Sequence, residues 1–365
     1  MKVGIIGGGI AGLTCALALS RHGHEVIIHE QAPVLTEVGA GIQLSPNAIK
    51  PLDRLGLLSA INGVASAPRA IDIFDGQSAH AIASVPLAAT AEKRYGAPYY
   101  VIHRADLQNI LADACARVPS IRIQLGSTIG RVRQDGDGVH LGNERVDLLV
   151  AADGVHSKIR EQHFGQQAVA SGLTAWRTTI AMDDRPDFFS ASKTNLCLAP
   201  NAHLVTYPIA AGKELNLVGI LPDGIDPAAG FGSWSPRIKP VFDMAEWLAW
   251  PLKAVPPLKS WTKGRIVLIG DAAHAMLPFA AQGGAAAIED GYSLAEAISA
   301  PGAGLEALAP WQEVRKKRVE AIARSAQKNR RIYHMSGFGA AARNMVMKAM
   351  GPDRLLARQD WIYGH

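Results

Sequence analysis

Residues 1–30 read MKVGIIGGGIAGLTCALALSRHGHEVIIHE. An apolar run, Val3 to Ile6, meets Gly7-x-Gly9-x-x-Gly12, and Ala11 to Ser20 continues with the composition of a helix. A second apolar run, Val26 to Ile28, closes on Glu30. The order predicts strand, tight turn, helix and strand, with an acid at the far end. Gly7 permits the turn, Gly9 clears a side chain from where a pyrophosphate touches backbone, and Gly12 lets the helix lie against the sheet. The helix N-terminus offers N–H groups to phosphates, and Glu30 accepts from ribose hydroxyls. NAD and FAD both use such a unit, so the dinucleotide stays open at this point.

Hydrophobic residues make up 48% of the 365 and charged residues 19%, which suits a globular chain of two domains or one elaborated one. No run of roughly 18 apolar residues occurs, so no membrane span is expected. The first strand begins at once, without the pattern of a signal peptide. Cys15, Cys115 and Cys197 lack metal spacing and read as buried thiols of a reducing, cytoplasmic compartment. The net charge of +5 gathers in Arg315, Lys316, Lys317, Arg318, Arg324, Lys328, Arg330 and Arg331, read as a solvated helix face. Aromatics are 6% of the chain and do not interleave with that run, so nucleic acid is not an expected partner. His22 and His24 complete no metal set and read as surface. No hydrolase elbow or zinc-protease motif is present.

Further along, a Gly-rich loop at 39–47 leads to a helix expected over 48–58. Strands are expected between Ile71 and Pro86. A helix from His103 to Arg117 starts with Arg104, where a cation gains nothing from the dipole, so binding is the better reading. Val146 to Ala152 is an apolar strand ending in Asp153-Gly154, where open α/β sheets place ligands. Strand-like segments at 172–182, 198–209 and 214–221 mark a β-rich region at about 166–259. Lys263 to Ile269 then ends in Gly270-Asp271, followed by His274, Pro278, Gln282-Gly283-Gly284 and a helix over 285–298. That helix start would stabilise the negative charge of a reduced flavin, which NAD does not need. His274 reads equally as a flavin neighbour or a satisfied buried histidine. Residues 310–350 read as helical.

Four motifs in this order resemble the group A flavin-dependent aromatic hydroxylases, in the branch of salicylate and 3-hydroxybenzoate hydroxylases and 6-hydroxynicotinate monooxygenase. They are the Gly7/Gly9/Gly12 fingerprint with Glu30, the Gly-Ala-Gly-Ile loop at 39–42, Asp153-Gly154, and Gly270-Asp271 with its Pro278/Gln282-Gly283-Gly284 tail. The resemblance implies an α/β, p-hydroxybenzoate hydroxylase-like fold: a Rossmann-type FAD-binding domain (1–70, 98–165, 260–300), an inserted β-rich substrate domain (71–97, 166–259) and C-terminal helices (301–365). FAD would then meet Gly7, Gly9, Ile10, Ala11, Gly12, Glu30 and Gln31 on one side. Gly41, Gln43, Arg104, Asp153, Gly154, Gly270, Asp271, Pro278, Gln282, Gly283 and Gly284 would complete its site. The implied reaction uses NADH or NADPH and O2, through a flavin C4a-hydroperoxide, to hydroxylate a small aromatic acid or phenol. The protein would act as a monomer or homodimer. A same-fold reductase or epoxidase for a larger apolar substrate is the alternative. A binding protein without turnover would have lost Gly270-Asp271 or Gln282-Gly283, and both pairs are present.

His203-Leu-Val-Thr-Tyr207-Pro208, read as a strand, puts His203, Val205 and Tyr207 on one face. By itself this is either a pair flanking a small ring or two satisfied polar groups. The resemblance favours the first, since His-x-Val-x-Tyr-Pro matches the family's substrate strand. It makes His203 the base for the substrate hydroxyl, with a pKa suited to neutral pH, and Tyr207 the residue that orients the ring. Pro208 is expected to end the pairing, and Cys197, Gln43 and Pro278 are further substrate contacts. Arg177 is expected to pair within the fold.

Overall fold

A computed structural model describes residues 1–35, 41–244 and 246–365. Lys2–Ile6 lies in a six-stranded sheet whose order is Thr262–Lys263, Ile266–Leu268, Leu148–Ala151, Lys2–Ile6, Glu25–His29, Ile121–Gln124. All neighbours are parallel except the first pair, a hairpin turning at Gly264. Val3, Ile5, Val26, Ile28 and the whole of Leu148–Ala151 are buried, as a parallel sheet covered on both faces requires. The helices Ile10–Arg21 and Gly283–Ser299 pack against each other closely, and a Cβ on Gly291 would stand 2.9 Å from the Cys15 nitrogen.

A seven-stranded sheet stands opposite, in the order Leu248–Ala254, Val169–Ala181, Glu214–Pro222, Ala202–Ile209, Thr194–Ala199, Ala70–Asp75, Ala81–Pro86. Period-two alternation gives it two different faces. Leu204, Leu215 and Leu217 pack with Phe231, Trp234 and Phe242 on one, while His203, Val205, Tyr207, Val218 and Ile220 look toward the first sheet. A two-stranded antiparallel ribbon, Gly41–Leu44 with Tyr100–His103, ties the sheets together. The Tyr207 hydroxyl donates to the Gly41 carbonyl at 2.7 Å, and the Gly41 N–H donates to Asn216 Oδ1 at 2.9 Å.

Several expectations are corrected by turn chemistry. The helix expected over 48–58 is two, Pro46–Arg54 and Leu58–Asn62, separated at Gly56, whose φ of +80° breaks the helix. The strand expected at 198–209 is the hairpin Thr194–Ala199/Ala202–Ile209, turning at Asn201 with φ +58°. Pro208 does not end the pairing, which runs on to Ile209 opposite Glu214. Residues 41–44 form a strand rather than a loop, and Gly39 and Ala40 lie outside the described residues. His24 is buried, bonded to the N-terminal amine and to Ser299.

The long helix Leu308–Tyr333 and the following Gly337–Ala357 close the fold. Arg315 and Arg318 depart from the solvated-face reading. Arg315 is buried between Glu289 and Asp290, at 2.6 and 2.8 Å, and Arg318 bonds Glu289 at 2.6 Å. Among the described residues no helix is long and apolar enough to cross a membrane.

Candidate active site

A cleft of about 520 Å³ opens beyond the C-terminal ends of the parallel strands, where such sheets bind ligands. Gly7, Glu30, Asp153 and Asp271 follow four of those strands, and all four residues line the cleft. Gly7 has φ +108°, and a Cβ there would stand 2.3 Å from the Ala152 carbonyl oxygen. A Cβ on Gly12 would lie 2.0 Å from the Gly7 carbonyl oxygen, so Gly12 serves helix-on-strand packing and not the cleft surface. Gly9 faces open space at the start of the first helix. Glu30 is held in place by the N–H groups of Gly8 at 2.7 Å and Ala32 at 2.8 Å.

Ile10, Ala11, Gln31, Gly41, Gln43, Arg104, Gly154, Pro278, Gly283 and Gly284 line the same cleft. Gly270 sits just behind it, with its N–H on Asp290 at 2.9 Å and Asp271 presented forward. Gln282 is turned away: it is buried, accepts from Asn47 at 3.0 Å and donates to Ser45 at 2.9 Å, so it braces the loop. His274 is buried against Trp261 and hydrogen-bonded to Asp290, outside the cleft lining.

The far wall comes from the second sheet. His203, Val205 and Tyr207 line the cleft together with Val218 and Ile220. Arg177 joins them, because its register opposite Val218 puts it on the same face. It also lies 5.6 Å from the Trp250 ring centroid. Arg177 thus pairs within the fold, as expected, and also lines the cleft. The expectation of Cys197 as a substrate contact is corrected. It pairs with Leu204, shares that residue's face, and lies buried in the core with Phe231 and Phe242.

A second cavity of about 500 Å³ meets the cleft at Gln43, His203, Val205, Pro278 and Ala281. Its walls include Ile71, Ile73, Leu196 and Met347, with Tyr99, Asn329 and Arg343 as polar groups. The Tyr99 hydroxyl donates to Gln43 Oε1. His203 stands at the junction, 3% exposed, with Nδ1 at 2.9 Å from His334 Nε2. Burial first, and then His334, pushes the His203 imidazole well below its ordinary pKa. The ring is therefore neutral at pH 7, which corrects the expectation of a group titrating near neutrality. Tyr207 is held above its ordinary value by burial and stays a phenol, its hydrogen already given to Gly41.

The cleft walls suit a dinucleotide. Asp153 Oδ1 is buried in the cleft wall without a hydrogen-bond partner among the described residues, while Oδ2 accepts from the Lys158 N–H at 2.9 Å. Burial raises the Asp153 pKa. Glycine backbone at the starts of two long helices gives the phosphates and a flat ring room to approach. Residues 1–216 and 241–326 match the FAD binding domain family. The chain is 32% identical over 383 residues to a 3-hydroxybenzoate 6-hydroxylase of Polaromonas naphthalenivorans, covering 100% of this chain and 96% of that one. The chain belongs to the FAD-dependent aromatic hydroxylases. A 6-hydroxynicotinate 3-monooxygenase of Bordetella bronchiseptica is 30% identical over 354 residues, covering 90% of this chain and 91% of the relative. A solved salicylate hydroxylase substrate complex shares the fold at a TM-score of 0.84, with 24% identity over 100% of this chain and 95% of that one.

The sequence did not point to His334, Tyr333 or Phe279, which surround His203 with ring centroids at 5.2, 5.5 and 4.9 Å. Two of them end a helix whose local pattern reads only as basic. No local signal marked them.

Proposed function

We propose that the chain uses NADH or NADPH and O2 to hydroxylate a small aromatic or heteroaromatic acid or phenol, in the cytoplasm, with FAD as its resident cofactor. The observation that carries this is the junction at His203. There a cleft fitted to a dinucleotide meets a second cavity lined by rings, apolar side chains and a few polar groups. Gly7, Gly9 and the helix starts would hold the FAD phosphates, Glu30 its ribose, and Asp153 and Asp271 its central hydroxyls. When bound, FAD supplies the redox and oxygen-activating chemistry. The chain positions the ring and keeps water from it. His203, neutral at pH 7, takes the hydrogen bond and then the proton of the ring hydroxyl, which makes the ring a better nucleophile. Tyr207 packs its ring edge beside the substrate, and Arg177 sets a positive field for a carboxylate.

The apolar walls of the second cavity favour a reductase or epoxidase reading for a larger substrate. Gln43, Asn329 and Arg343 line that same cavity and give a small polar ring its anchors, so the hydroxylase reading is preferred. The test is NADH and NADPH oxidation with product analysis across salicylate, 3- and 4-hydroxybenzoate and 6-hydroxynicotinate. The expected result is faster oxidation with at least one ring and a product bearing one added oxygen. No stimulation by any of them moves the assignment to the reductase.

A further inference from the structure

We propose that His203 and His334 form a two-imidazole relay that carries the proton of the substrate hydroxyl away from the buried His203 toward solvent. The inference rests on the reading that the ring hydroxyl meets His203. Since Nδ1 of His203 is committed to His334 Nε2 at 2.9 Å, Nε2 is the nitrogen left for the cavity side. Two neutral imidazoles in contact share a single proton, one donating and the other accepting. In the resting pair His203 carries its hydrogen on Nδ1 and His334 on Nδ1. The substrate O–H bond breaks as an N–H bond forms at His203 Nε2. The His203 Nδ1 proton passes to His334 Nε2, and the His334 Nδ1 proton leaves to water. Every N–H bond formed is matched by a bond broken, and nothing is oxidised or reduced. Passage in reverse, when the product hydroxyl takes a proton back, restores both tautomers.

Placement separates a relay from a lone base. His203 is enclosed by Phe279, Tyr333 and the sheet, so a charge resting there is costly. His334 is only half-buried at the C-terminal end of the helix Leu308–Tyr333, so the pair runs from the enclosed His203 toward solvent. Burial and Arg330 hold His334 down at about 4, so at neutral pH it gives the proton up at once. The charged and titratable groups around the pair are Arg330 and Tyr333 on the same helix, Arg343 on the next, Tyr99, and Tyr207 and Arg177 on the sheet side. None of these six is a carboxylate; the Asp75 carboxylate, two strands along in register through Leu198, interacts with Arg343. Arg343 is held by the carbonyls of Ile332 and Tyr333 at 3.1 and 3.0 Å, which fixes the helix end that presents His334.

Glutamine can keep the hydrogen bond to His203 but its amide does not pass a proton, so His334→Gln separates bracing from relay. The FAD-loaded protein, without NAD(P)H, is mixed rapidly with the ring that stimulates oxidation in the panel above, and phenolate absorbance is followed. In His334→Gln the affinities for FAD and for the ring should stay within about twofold, while phenolate forms ~10-fold more slowly or worse. In His334→Ala, added imidazole should restore much of the rate. Phenolate formation at the native rate in both His334 variants overturns the relay. Phenolate formation at the native rate in His203→Gln shows instead that the ring does not meet His203, and the relay falls with that reading.

Discussion

On the dinucleotide side of the cleft, Gly7, Glu30, Asp153 and Asp271 stand just beyond the ends of four parallel strands. On the ring side, His203 meets a partner 131 residues further along the chain. The first wall is made of backbone and local turns, and its demands are steric. The second is made of side chains gathered from a sheet and the C-terminal helices, and its demands are chemical. The two walls should therefore fail differently. Damage to the first should cost the cofactor, and damage to the second should cost the reaction while the cofactor stays.

Gly12→Val should have the largest effect. Its Cβ would enter the Gly7 carbonyl oxygen at 2.0 Å, which no side-chain movement relieves. The purified variant should be colourless and take up no FAD on reconstitution, as read by flavin absorbance. A yellow Gly12→Val protein would mean that helix and strand are not packed as described.

Arg315→Ala tests the support behind both walls. It leaves Glu289 and Asp290 buried without their cation, and breaking a buried pair in this way typically costs ~3–5 kcal/mol, measurable by urea unfolding. Burial pushes both carboxyls up, but Arg318, Arg315 and His274 more than reverse this, and both end below their ordinary values. Groups with lowered native pKa values stabilise the fold above their unfolded values and lose that contribution as pH falls through the native ones. The native protein should thus lose stability below about pH 5 more steeply than Arg315→Ala. Equal stability of the two proteins at pH 7 would place this network outside the load that holds the helices.

The same division explains what could be read from the chain. Strand, glycine and helix follow one another within a few residues at Gly7 and again at Gly270, so the sheet and its cleft were legible. The face of Cys197 was not, because it depends on the turn at Asn201, where a non-glycine residue takes φ +58°. Arg177 needed the register against Val218, which no local pattern specifies. The burial of Arg315 did leave a trace: Glu289-Asp290 sits in an otherwise Ala-rich helix, and two acids there call for cations from elsewhere. His334 left none, since its role comes only from where a long helix ends.

The most direct test of the ring-side account is His203→Ala, with hydroxylated product and hydrogen peroxide measured separately against NAD(P)H consumed. Losing a general base typically costs 10²–10⁴-fold, so product formation should fall by roughly that factor. FAD content should stay at the native level, and most of the NAD(P)H still consumed should appear as peroxide. Product formation near the native rate, with peroxide unchanged, would contradict the account and leave His203 as a brace of the sheet.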